Sequence, residues 1–127
     1  MEENQKFSLV DRLKSFKYAF NGLKLFLLND HNGRIHVVAA IIAIALSWWL
    51  GISRLEWVAI LSVIAIVLAA EIINSSIEKL ADVVSPSYHP QIKIVKDLAA
   101  AAVLIAAFLA LAVGAIVFLP PILSVIR

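Results

Sequence analysis

The chain has 127 residues, of which 62% are hydrophobic and only 16% charged, with a formal net charge of +2. Soluble domains carry about 45–50% apolar and about 25% charged residues. The composition therefore excludes an ordinary water-soluble fold, a disordered chain and a collagen-like repeat, and it points to a bilayer. The small charge gives no sign of a nucleic-acid partner, and the lack of cysteine leaves no disulfide framework, zinc–thiolate site or cysteine nucleophile.

Residues 1–7 are polar and are expected to fray. Residues 8–30 open on Ser8 and Asp11, a helix-start signal. Leu9, Leu13, Phe16, Phe20, Leu23 and Leu27 then recur at helical spacing, with Arg12, Lys14, Lys17 and Lys24 mostly off that stripe. This pattern predicts a basic amphipathic helix lying in a membrane interface. It is not a signal peptide, because charges run through it. Asn29 to Gly33 reads as a break or sharp bend.

Three spans are predicted, over 35–52, 57–83 and 97–119, with His36 at the mouth of the first. Gly51-Ile52-Ser53-Arg54 is a short turn. The second span is uncharged from Trp57 to Ala70, and the helix then continues with a different, polar face. Ser85 to Pro90 breaks the chain, the third span starts near Lys96-Asp97, and Pro120-Pro121 is expected to end it. Trp48, Trp49 and Trp57 gather at one border, as interfacial aromatics do. Alanines 99–102, 106, 107 and 110 suit close helix packing. Lys6, Arg12, Lys14, Lys17, Lys24 and Arg34 precede the first span, and Lys79, Lys93 and Lys96 lie between the second and third. Only Arg54 and Arg127 lie elsewhere. The positive-inside rule then puts the N-terminus and the second connection in the cytoplasm, with the first hairpin and the C-terminus outside.

The acids are not scattered. Glu71, Asn74, Glu78 and Asp82 fall within about 80° of arc on one helix, at about 100° per residue. Glu71 follows the uncharged run directly, near the hydrocarbon edge, where an ionisable group is costly and usually functional or paired. Such a carboxylate suits a general base. Asp30, Arg34, Lys96 and Asp97 belong to the same cytoplasmic layer. Hard cations such as Mg²⁺ take carboxylate and phosphate oxygens, and phosphoryl transfer needs a metal, a cationic clamp and a base. A solvated helix end, balanced by Lys79 and Lys96, is the alternative. There is no phosphate-binding glycine loop. His31, His36 and His89 lack metal-ligand spacing and read as surface or interfacial, and Ser75 and Ser76 lack an adjacent histidine base.

The stretch E-I-I-N-S-S-I-E-K-L-A-D, from Glu71 to Asp82, resembles the E-x-x-N-T-A-I-E-x-x-x-D pattern of the small prokaryotic integral-membrane diacylglycerol kinase family, which includes the undecaprenol kinases. Lys96-Asp97-Leu98-Ala99-Ala100-Ala101-Ala102-Val103-Leu104 is similar to the family's K-D-x-A-A-G-A-V-L. Phe16 to Gly22, followed by N-D-H-N-G-R-I-H, resembles the undecaprenol-type branch. The resemblance covers nearly the whole chain. It implies an all-α membrane protein, with a surface helix and three membrane helices, assembled as a homotrimeric bundle with shared active sites. It also implies Mg²⁺, ATP as co-substrate and a membrane lipid alcohol as acceptor, diacylglycerol or alternatively undecaprenol. By position, Glu71 would be the general base and Asn74 would position substrate. Glu78 and Asp30 would bind Mg²⁺, with Asp30 replacing the family's longer glutamate. Lys96 would contact phosphates, supported by Asp97, and Arg12, Tyr18 and Asp82 would assist the nucleotide. Two rival classes are a small cation-coupled transporter, disfavoured because Glu71 stands at a helix end and a fourth span is lacking, and a non-enzymatic scaffold, which leaves the polar layer unexplained.

Overall fold

A computed structural model describes residues 8–127, so Lys6 and the polar start lie outside the described residues. The described residues form four helices and no strand: α1 (Leu9–Asn29), α2 (His31–Leu50), α3 (Arg54–Val84) and α4 (Pro90–Ile126). The last three are each long and apolar enough to cross a membrane.

Local chemistry sets each boundary. Ser8 caps α1 by accepting from the Asp11 amide at 3.3 Å. The expected break over Asn29–Gly33 contracts to one extended residue, Asp30. Its amide donates to Phe26 O at 3.0 Å, closing α1, while its Oδ1 accepts from the Gly33 amide at 2.9 Å, opening α2. One carboxylate thus caps a helix start where four amides lack partners. The elbow is tight because the buried Phe26 ring lies against Gly33, where a Cβ would stand 2.4 Å from the ring.

Gly51 ends α2 in the left-handed conformation, φ 61° and ψ 50°, and the Ile52 amide reaches back to Ser47 O at 3.3 Å. Ser53 and Glu56 then cap each other's backbone amides, so α3 begins at Arg54, earlier than the apolar run suggests. Trp48 and Trp57 meet edge-to-face across this turn at 5.6 Å.

Two expectations about α4 are corrected. It starts at Pro90, well before Lys96, because proline fits the first helical position and His89 Nδ1 accepts from the Gln91 amide at 3.2 Å. It also runs through Pro120 and Pro121 to Ile126. The two rings free only the carbonyls of Ile116 and Val117, and their fixed φ is itself helical.

The core is thin. Ile60, Val63 and Val67 of α3 are buried, with Ala99, Ala106 and Val117 of α4. Of the alanine run, therefore, only Ala99 and Ala106 are buried. Large apolar side chains such as Leu98, Ile105 and Ile116 stand more than two-thirds exposed, as a lipid-facing surface requires.

Candidate active site

The buried stripe of α3 does not change face at its polar end. Ile60, Val63 and Val67 lead directly into Glu71, Asn74 and Glu78 at helical spacing. This corrects the expectation of a different face. Glu71 is consequently packed like a core residue, 4% exposed. From Arg54 it stands about 26 Å along α3 at 1.5 Å per residue, against a hydrocarbon layer of about 30 Å.

Its partner comes from α2. His36 Nε2 lies 2.9 Å from Glu71 Oε1. The sequence reading gave His36 only an interfacial role and missed this pairing. The signal was hairpin symmetry: Trp48 with Trp57, Asp30 with Ser75 and His36 with Glu71 all lie at nearly equal sequence distances on either side of Ile52.

Asp30 links the elbow between α1 and α2 to α3. Ser75 Oγ donates to its Oδ2, and the Gly33 amide donates to its Oδ1. Burial alone would raise its pKa. The Ser75 hydroxyl, the Gly33 and Asn32 amides and the Lys79 charge outweigh that and hold the carboxyl below its ordinary value. Asp30, Ser75, Glu78, Lys79 and Asp82 line one cleft of about 410 Å³ between the end of α1 and the polar end of α3. One chain alone therefore brings Asp30 to α3. Asn74 Nδ2 donates to Glu78 Oε1 at 3.4 Å, and Asn74 Oδ1 is buried without a partner among the described residues.

None of the remaining predicted residues lines this cleft. Lys96 of α4 reaches across to Asp82 at 2.6 Å. Asp97 is turned to Lys93 at 2.5 Å on the exposed side of α4, away from the α3 stripe. Arg12 and Tyr18 lie on exposed α1 and do not line the cleft. On the other side of the Glu71–His36 pair, an apolar groove of about 420 Å³ runs between α2, α3 and α4, lined by Ala39, Ala43, Val67, Leu68 and Ala110 with His36 among them.

For a divalent cation, Asp30, Glu78 and Asp82 offer the hard oxygen donors that Mg²⁺ selects. Among the described residues no three carboxylate or imidazole groups form a complete metal cage. An ion in this cleft would draw further ligands from phosphates and water, as Mg²⁺ commonly does.

The chain resembles known proteins along most of its length. The profile described as prokaryotic diacylglycerol kinase matches residues 17–118. A diacylglycerol kinase of Synechocystis is 35% identical over 113 residues, covering 88% of this chain and 65% of that protein. An undecaprenol kinase of Bacillus subtilis is 31% identical over 107 residues, covering 84% and 87% of the two chains. A diacylglycerol kinase of Escherichia coli is 33% identical over 98 residues, covering 77% and 80%.

Proposed function

This chain belongs to the prokaryotic diacylglycerol kinase family of membrane lipid kinases, and from that premise we propose that it transfers the γ-phosphoryl group of ATP to the hydroxyl of diacylglycerol, giving phosphatidic acid. The observation that carries this reading is Glu71: a buried carboxylate at the hydrocarbon edge, with an apolar groove on one side and a cleft lined by carboxylates on the other. An acceptor lipid brings its hydroxyl from the apolar side, and a polyphosphate arrives from water.

Glu71 takes the hydroxyl proton as the lipid oxygen forms its bond to the γ-phosphorus and the bond to the ADP oxygen breaks. The unpaired Asn74 Oδ1 is a free acceptor that can orient the incoming hydroxyl. Asp30 and Glu78 would hold Mg²⁺, whose charge neutralises the polyphosphate. Lys96 would contact phosphates once drawn from Asp82, with Asp97 behind it, and Asp82, Arg12 and Tyr18 would serve the nucleotide side. Residues 8–30 would lie in the interface of a bacterial inner membrane, N-terminus in the cytoplasm, and the protein would assemble as a homotrimer.

A second acceptor, undecaprenol, is favoured by the Arg34-Ile35-His36 segment and the Bacillus subtilis relative. Phosphorylation in mixed micelles, offering diacylglycerol and undecaprenol side by side with ATP and Mg²⁺, decides between them. Labelled phosphatidic acid is the expected product. Preference for undecaprenol selects the second reading, and labelling of neither lipid defeats both.

A further inference from the structure

Glu71 needs more than depth to act as a base, because a carboxylate free to rotate presents no fixed oxygen to a substrate. The ion pairs of α4 do not reach it: Lys96 engages Asp82 and Lys93 engages Asp97. The group that holds it is His36, one nitrogen 2.9 Å from Oε1, with side-chain exposures of 27% for the histidine and 6% for the glutamate. His36 also lines the apolar groove with Ala39 and Val67. It thus stands where an apolar chain ends and the carboxylate begins.

We propose that His36 is a positioning residue for Glu71. The inference rests on the kinase reading above. Nε2–H donates to Oε1, fixes the plane of the carboxylate, and leaves Oε2 as the oxygen that receives the lipid proton. During transfer the lipid O–H bond breaks, its proton goes to Oε2, the lipid oxygen bonds to the γ-phosphorus, and ADP departs with the electrons of the broken P–O bond. The bond from His36 persists through this and moves no proton. The arrangement follows a general pattern in which a base is oriented by a further group; around metal ligands the loss of comparable orienting bonds costs about 10–100-fold in affinity or activity, and a loss of that order is expected here.

The test uses the full chain in mixed micelles. His36→Leu keeps bulk in the groove and removes the donor. His36→Gln keeps an amide N–H near the place of Nε2. His36→Asn keeps the amide but is a methylene too short to reach. Leu and Asn are expected to lower kcat about 10–100-fold with the KM for ATP unchanged, and Gln to recover most of it. In a Glu71→Gln background the Leu and Asn changes should have no further effect, because the base they orient is gone. If Leu does not assemble, the Asn–Gln pair carries the same comparison. The proposal is overturned by near-normal kcat in Leu or Asn, by an equal loss in both backgrounds, or by a Gln variant as slow as Asn. A wild-type protein that phosphorylates neither lipid defeats the functional reading instead.

Discussion

Placing Glu71 on the buried stripe of α3 costs desolvation, which an alanine or valine would avoid, and the cost is offset in part by the bond from His36. If Glu71 is the base, the same burial would exclude water that competes for the substrate hydroxyl. Glutamine is nearly isosteric and can still accept a hydrogen bond from His36 Nε2. Glu71→Gln is therefore expected to fold and to bind ATP normally while losing turnover by about 10²–10⁴-fold, the usual worth of a general base. Turnover and nucleotide binding measured on the same preparation check this. Retained turnover would take the base role away from Glu71, and loss of ATP binding would show that the residue shapes the nucleotide site.

At the scale of elements, the polar layer depends on a one-residue elbow. The Asp30 amide closes α1, while its carboxylate opens α2 and accepts from Ser75 of α3, so three helices meet on one residue. Gly33 permits this because the Phe26 ring occupies the space a Cβ would need. Gly33→Ala would gain about 1 kcal/mol of helix propensity but would overpack a buried ring, at about 1–3 kcal/mol. The clash wins, and the elbow should loosen. Amide exchange near the end of α1 is expected to speed up, and a Phe26→Leu change in the same chain should slow it again. Unchanged exchange would mean that the ring swings aside freely. Helix number and order were legible in the sequence because apolar runs, Gly51 and Pro90 punctuate the chain. The pairing of His36 with Glu71 was not, because periodicity describes one helix at a time and pairing depends on the register between two. The passage of α4 through Pro120-Pro121 was hidden for a related reason: proline reads as a stop where the freed carbonyls would have to meet water. The Asp30–Ser75 contact escaped because Asp30 sits in the elbow and Ser75 on α3, far apart in sequence.

As a whole molecule, the chain buries little of its own apolar surface, and α2, α3 and α4 present large apolar side chains on their outer faces. Lipid tails would cover such faces, as would neighbouring copies in the proposed homotrimer. The positive-inside rule predicts the orientation from the Lys and Arg residues, nine of which fall before the first span or between the second and third, against two elsewhere. Cysteines at Ser53 and Ser124 should therefore react with an impermeant thiol reagent on intact cells or spheroplasts, while one at Ser87 stays protected until lysis. Labelling at 87 before lysis would invert the topology. Assembly leads to the last expectation. A homotrimer should show about three times the 13.9 kDa chain mass in detergent, after subtraction of the micelle. Within it, Asp30 and Glu78 line one cleft of one chain, with Asp30 tied to Ser75 on the same helix as Glu78. If the cation is held there, both carboxylates come from the same copy. Asp30→Asn and Glu78→Gln should each raise the Mg²⁺ concentration needed for half-maximal activity, since each removes a charged oxygen ligand. Mixing the two variants should restore nothing, because every cleft in the mixed trimer carries one lesion or the other. Co-assembly is verified by pull-down through a tag on one variant, and activity is followed across mixing ratios. Recovery at intermediate ratios would require an intact pair contributed by two different copies, and would move the cation from the cleft within a chain to the seam between chains.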